Sequence, residues 1–150
     1  MSRDRAARAA IVIKVGGEVV GSGEAALIAA DLALLVKDAT FPRIAIVHGG
    51  GPQATALQKQ LGLETKQVAG RRVTDAATLD VMKMAVAGKL NVDLCATLQA
   101  AGVNAVGLHG ASGLVVRATR RPPKTYPGAG DEPVDMGFVG DVQGFNLELL

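Results

Sequence analysis

Ile44-Ala45-Ile46-Val47-His48-Gly49-Gly50-Gly51-Pro52-Gln53 is the stretch on which the reading of this chain turns. The apolar residues 44–47 describe a strand buried on both faces, as in a parallel sheet. The strand runs into three glycines, and Pro52 then suits the first turn of a helix, where a missing N–H costs nothing. That helix is predicted to continue to about Leu61. A strand, a glycine turn and a helix in this order form half of an α/β unit, so a matching strand is expected upstream.

It is found at Ile11-Val12-Ile13-Lys14-Val15, which Gly16-Gly17 stops. Between the two runs, residues 24–37 carry Leu27, Ile28, Leu32, Leu34 and Leu35 with Asp31 and Lys37 opposite, which predicts an amphipathic helix. Two buried strands separated by a helix imply a parallel pair with a right-handed crossover. Downstream, 65–68 and 72–73 flank Ala69-Gly70 and predict a small hairpin over the sheet edge. Thr74 or Asp75 is expected to cap a long helix over 76–101 with a soft point at Gly88. Residues 103–108 read as a third buried strand and 114–118 as a fourth. An irregular excursion follows over 120–133, and 136–140 is strand-like. Asn146 is expected to cap a helix starting at Leu147, which suggests a longer protein. The whole order predicts an α/β fold, a three-layer αβα sandwich with a mainly parallel central sheet.

Composition narrows the function classes. With 150 residues and 49% hydrophobic, the chain can bury the core of one domain. Aromatics make up only 3%, with no Trp, which disfavours a base-stacking platform for single-stranded nucleic acid. The net charge is +2, and no basic run exceeds the pairs Arg71-Arg72 and Arg120-Arg121, so neither nucleic acid nor an anionic membrane is an expected partner. Cys95 is the single cysteine and reads as a small buried hydrophobe, with reducing cytoplasm as the default compartment. No stretch has the ~18 consecutive apolar residues of a membrane helix.

The chemistry is proposed by the glycines. In parallel α/β sheets ligands sit beyond the carboxyl ends of the strands, so Gly16-Gly17 and Gly49-Gly50-Gly51 are expected to face one crevice. Glycine lets backbone N–H groups approach an anion, and the helix after Gly51 adds its positive N-terminal end. Lys14, in an otherwise apolar strand, reads either as a phosphoryl partner or as a strand-end lysine reaching solvent. The triple glycine alone reads equally as a tight strand–helix turn. Their combination points to phosphoryl transfer, where catalysis consists largely of positioning plus cations and backbone donors. Neither a P-loop nor a dinucleotide fingerprint is present.

At Ile13-Lys14-Val15-Gly16-Gly17, Val47-His48-Gly49-Gly50-Gly51-Pro52-Gln53, Gly70-Arg71-Arg72-Val73-Thr74-Asp75, Ala87-Gly88-Lys89-Leu90-Asn91, Ala105-Val106-Gly107-Leu108 and Gly137-Phe138-Val139-Gly140 the chain resembles the amino-acid kinase family, in particular its N-acetylglutamate kinase branch. The resemblance runs from Ile11 onward. It implies phosphoryl transfer from MgATP to the side-chain carboxylate of N-acetyl-L-glutamate, in arginine biosynthesis. By motif, Lys14 would stabilise the transferring phosphoryl group with the N–H groups of Gly16 and Gly17. Gly50 and Gly51 would approach both carboxylate and phosphoryl group, and Arg72 would hold the substrate's α-carboxylate. No residue is assigned to a metal; ATP and Mg2+ would be bound mainly by a second half after residue 150, with residues 1–10 an extension and 11–150 the substrate-binding lobe.

His48 is expected to hold the glycine loop rather than act as a base, because an ionised carboxylate needs none. Arg71 and His109 are read as surface or structural residues. A homodimer is implied, with a seam on the long helix around Val81, Met84, Ala85 and Ala87, or else these pack in the core. Residues 1–10 are shorter than the N-terminal helix of arginine-inhibited members, which suggests arginine insensitivity. Two other readings stay open: a kinase for a carrier-bound or aminoadipate-type substrate, and a non-catalytic acyl-amino-acid-binding module.

Overall fold

The computed structural model describes residues 10–150, so expectations for residues 1–9 lie outside the described part. Strands β1 (Ala10–Val15) and β2 (Arg43–His48) pair in parallel, with Lys14 opposite Val47 and Val15 opposite His48. The α/β class read from the sequence is borne out. Side chains alternate across the pair: Ile13, Val15, Ile44 and Ile46 meet the helices. On the other face Val12 and Val47 are 68% and 53% exposed, with Lys14 beside them.

Gly17–Val20 forms the short helix α1, and α2 spans Glu24–Leu35. The buried stripe of α2 is Ala25, Ala29 and Leu32, whereas Leu27 and Leu34 of the expected apolar face are 69% and 66% exposed. This helix is apolar nearly all round, and the alanine stripe is the side that packs against the end of the long helix over 76–101. Val15, Val20, Ala29, Leu32, Leu90, Leu94 and Leu98 form the main core. Each larger side chain in it contributes about 1.5–3 kcal/mol by leaving water.

Helix α3 covers Gly51–Gln60, with Pro52 in its first turn as read. The expected hairpin is present as β3 (Gln67–Val68) and β4 (Arg71–Arg72), turning at Ala69-Gly70. The long helix over 76–101 is a composite. Helix α4 (Ala76–Met82) is capped by Asp75, whose side chain accepts from the Thr78 N–H at 2.8 Å. A π-helical stretch, Lys83–Leu90, follows and contains the Gly88 read as a soft point, and α5 (Asn91–Ala100) completes it. Val81 and Ala85 of the expected seam pack with Ala54 in a second core, while Met84 stays 51% exposed.

Gly102, at φ 88, ends α5 with a Val103 N–H to Leu98 O bond of 2.9 Å. Residues 103–108 then alternate like a strand: Val103 and Ala105 are half-buried, Asn104 and Val106 exposed. They nevertheless pair with no other described strand. Side-chain amides of α5 take their carbonyls instead, Gln99 donating to Ala105 O at 3.3 Å and Asn91 to Leu108 O at 3.3 Å.

The expected fourth strand starts at Val116, not Leu114: β5 (Val116–Arg120) pairs antiparallel with β6 (Gly140–Phe145). Between them runs the irregular excursion, bridged once at Lys124 and Val134. Asn146 Oδ1 accepts from the Glu148 N–H at 3.2 Å, but a turn follows where a helix was expected. The β5–β6 unit is tied to the long helix's start by Thr74, whose N–H donates to Met136 O at 2.9 Å and whose carbonyl accepts from the Phe138 N–H at 2.7 Å.

Candidate functional site

The two glycine turns meet at the carboxyl end of β1 and β2. The Gly49 N–H donates to Val15 O at 2.9 Å, which continues the ladder by one step beyond the strands. There the backbones touch: a Cβ on Gly17 would lie 2.7 Å from Gly50 N, and one on Gly49 would lie 2.9 Å from Gly17 N. Only residues without a side chain can pack like this. Among the described residues, the N–H groups of Gly16, Gly17, Gly50 and Gly51 have no hydrogen-bond acceptor. Gly50 and Gly51 sit at the start of α3, whose dipole adds positive potential there, and Gly16 and Gly17 at the start of α1 pack against them.

Gln53, in the first turn of α3, donates to Gly17 O at 2.7 Å and fastens one turn to the helix that follows the other. Behind the second turn, a Cβ on Gly50 would fall 2.7 Å from Val86 Cγ2 and 2.8 Å from Leu90 Cδ1. Gly50 therefore rests directly on the π-helical stretch. The wider turn there presents Val86 and Leu90 to the glycine backbone, a placement consistent with π-helical turns near functional sites.

His48 takes the part read for it. Its Nδ1 lies 3.0 Å from Gly49 O and its Nε2 3.4 Å from Asn91 Nδ2. A proton on Nδ1 satisfies both contacts, with Nδ1–H donating to the carbonyl and Nε2 accepting from the amide. Asn91 donates also to Leu108 O, so one side chain ties the glycine turn to the 103–108 segment. Gly107 makes room for it, since a Cβ there would stand 2.0 Å from Asn91 Oδ1.

Lys14 is exposed on the strand next to Gly16 and forms no ion pair with any described carboxylate. Arg72, half-buried on β4, reaches across to α3. Its Nη1 donates to Gln58 Oε1 and its Nη2 to Thr55 Oγ1 at 2.7 Å and to Gly51 O at 3.4 Å. The guanidinium thus borders the second glycine turn from the hairpin side. Arg71 is exposed, as is His109, whose backbone N–H donates to Ser112 Oγ at 3.2 Å.

Lys14, Gly16, Gly17, Gly50, Gly51 and Arg72 are therefore brought to one end of the molecule's parallel pair. Sequence reading missed the side chains that set them in place: Gln53, Thr55, Gln58 and Asn91. Gln53 and Asn91 were visible within the quoted motifs; Thr55 and Gln58 look like ordinary helix residues. A separate groove of about 520 Å³ between Ser22, Ala26, Gln53, Leu57, Lys89 and Asp93 includes none of the predicted site residues.

Charge elsewhere is paired locally. The Thr78 N–H holds the Asp75 carboxyl below the usual carboxylate range, with Thr78's side chain adding to it. Arg121, bonded to Asp141, does the same to that carboxyl and is itself raised further above its ordinary value.

Known proteins resemble this chain over most of its length. Residues 9–150 match the model of the amino acid kinase family. The chain is 69% identical over 140 residues to an acetylglutamate kinase of Anaeromyxobacter dehalogenans (strain 2CP-C), covering 93% of this chain and 51% of that protein. To an acetylglutamate kinase of Sorangium cellulosum (strain So ce56) it is 61% identical over 140 residues, covering 93% and 49%. The chain thus spans about half the length of the curated relatives it matches. Among solved structures it is similar to smu.665 from Streptococcus mutans UA159, with a TM-score of 0.68 at 28% identity over 93% of this chain and 52% of the other. It is also similar to an N-acetylglutamate synthase from Neisseria gonorrhoeae complexed with coenzyme A and N-acetyl-glutamate, with a TM-score of 0.67 at 25% identity over 91% and 28%.

Proposed function

The chain belongs to the amino acid kinase family, and on that premise we propose that it is the acceptor-binding half of a kinase that phosphorylates N-acetyl-L-glutamate in arginine biosynthesis. A side-chain carboxylate oxygen attacks the γ-phosphorus of ATP, the bond from that phosphorus to the β–γ bridging oxygen breaks, and ADP leaves behind an acyl phosphate. The attacking carboxylate is already ionised, so no base is needed. The work is to gather anions and to stabilise charge spreading over the phosphoryl oxygens.

Lys14 supplies a cation, and Gly16 and Gly17 at the head of α1 and Gly50 and Gly51 at the head of α3 supply N–H donors. Arg72 takes the α-carboxylate, for which its planar fork is suited. The observation that carries this reading is the direct packing of Gly17 on Gly50, which gathers unpaired N–H groups into one cradle. The donors fit a phosphoryl group. ATP enters as MgATP, the metal arriving with the nucleotide, and most of the nucleotide is held by polypeptide outside these residues.

The test is hydroxylamine trapping of the acyl phosphate by the complete kinase that contains this half. Lys14→Ala lowers kcat by about a hundredfold or more while KM stays within about twofold. A raised KM with kcat intact contradicts the role given to Lys14. We propose also a homodimer with Met84 in its seam, in the cytoplasm. Sedimentation of the protein and of a Met84→Asp variant, with and without arginine, reads both assembly and arginine response. Among the described residues, no helix is long and apolar enough to cross a membrane.

A further inference from the structure

Gln58 has no part in the chemistry above, yet it is one of the largest fully buried side chains in the described molecule, at 1% exposure. A primary amide in that position must be hydrogen-bonded to be tolerated. Its Nε2 donates to Thr78 Oγ1 at 3.2 Å, and its Oε1 accepts from Thr65 Oγ1 at 3.3 Å and from Arg72 Nη1. The amide is therefore set from three sides: by α4, by the segment before the hairpin, and by the hairpin arginine. Arg72 can only donate, so Oε1 and not Nε2 must face it.

The acceptors that hold Arg72 climb α3 toward its N-terminus: Gln58, then Thr55, then Gly51 O at the glycine turn. All three are neutral. They take three of the guanidinium's five N–H donors, leave two for a ligand, and cancel none of its charge. A carboxylate at residue 58 would have held the arginine as firmly but would have consumed the charge that an incoming anion needs.

We infer that Gln58 is a positioning residue for the acceptor substrate: its buried amide aims the Arg72 guanidinium at the glycine turns while leaving it electrostatically open to the substrate's α-carboxylate. The inference rests on the reading of Arg72 in the proposed function and adds a determinant to it. Gln58 touches no substrate and acts through Arg72.

The test uses Gln58→Glu, which keeps the shape and adds charge, and Gln58→Met, which keeps the volume and removes the acceptor. Calorimetry compares N-acetyl-L-glutamate with 4-acetamidobutanoate, which retains the amide and the reacting carboxylate but lacks the α-carboxylate. Both variants should bind N-acetyl-L-glutamate at least about tenfold more weakly and 4-acetamidobutanoate within about twofold of the parent, since a charge-assisted contact is at stake. Equal weakening of both ligands, or of neither, overturns the inference. If the parent chain itself does not prefer N-acetyl-L-glutamate, the proposed role of Arg72 fails. In that case nitrogen-15 spectra of the Arg72 guanidinium still decide whether Gln58 holds it: separate Nη signals in the parent that average in Gln58→Met support the contact, and unchanged spectra refute it.

Discussion

Gly16→Ala and Gly17→Ala are the same chemical change one residue apart, and the geometry gives them opposite signs. Gly16 lies at φ −64 and ψ 152, a conformation alanine adopts freely, and an added Cβ meets nothing within 4 Å. Its only effect is to narrow the unfolded ensemble, a stabilisation of about 0.4–1 kcal/mol. At Gly17 the new Cβ would lie 2.7 Å from Gly50 N, 3.0 Å from Gly50 Cα and 3.2 Å from Gly49 C. All three are backbone atoms, so no rotamer change relieves the overlap. The turns must part by about 1 Å to restore ordinary contact, and overpacking of this kind costs about 1–3 kcal/mol. Combined, the two variants should differ by about 1.4–4 kcal/mol, or about 3–16 °C in Tm for a domain of this size. Urea unfolding with a shared m-value measures the difference directly. Parting the turns also spreads the Gly17 and Gly50 donors, so Gly17→Ala should lower kcat of the complete kinase more than Gly16→Ala does. If the two midpoints move together, or if Gly17→Ala is neutral, the claim that the turns pack backbone to backbone is wrong.

Gly137→Ala should be among the most damaging single changes, about 3 kcal/mol or more, since Gly137 sits at φ 75 and its Cβ would fall 2.2 Å from Thr74 O; chemical denaturation checks it. Asn91→Ala removes the donor to both His48 Nε2 and Leu108 O and should cost about 1–3 kcal/mol in the same assay, with a fall in kcat as the glycine turn loosens. Asp75 has its folded pKa lowered by the Thr78 N–H, so its contribution is complete above the ordinary carboxylate range and disappears as pH falls through the lowered folded value. Asp75→Asn should keep the cap yet flatten that acid-side loss in a series of urea midpoints against pH, and an unchanged slope would show that the carboxylate is not the group responsible.

How far the sequence was legible follows from the range of the interactions involved. The parallel pair and α3 were readable because a β-branched run, a glycine stop and Pro52 are local signals, and the hairpin because Ala69-Gly70 sits between two short runs. The burial of α2 was not, because a helix apolar on most sides does not say which side faces inward: Leu27 reads like Leu32. Residues 103–108 have the alternation of a strand, but pairing needs a neighbour, and in the described residues α5 amides stand there instead. The site divides along the same line. Lys14, the glycines and Arg72 carry residue types whose chemistry is visible one at a time. Gln53, Gln58 and Asn91 matter only through what they touch 7 to 43 positions away, a relation that no local pattern contains.

The motif glycines, taken together, separate into those whose backbone is packed directly against another segment and those that leave space. Gly17 meets Gly50, Gly50 meets Val86 and Leu90, Gly107 meets Asn91, and Gly137 meets Thr74. Each joins segments distant in sequence, and in each the partner lies within the described residues. The cradle's geometry is therefore fixed from inside this chain: the π-helical stretch supports Gly50, Gln53 ties Gly17 down, and Asn91 with His48 steadies the turn between them. Gly51, in contrast, has nothing within 4 Å of an added Cβ and stands open at the head of α3, with Arg72 donating to its carbonyl oxygen. A rigid base with an open rim is what an anion cradle requires, because donors that are already in place need not be ordered when the charge arrives. Substrate carboxylates should accordingly be recognised by this half alone, before any nucleotide is bound.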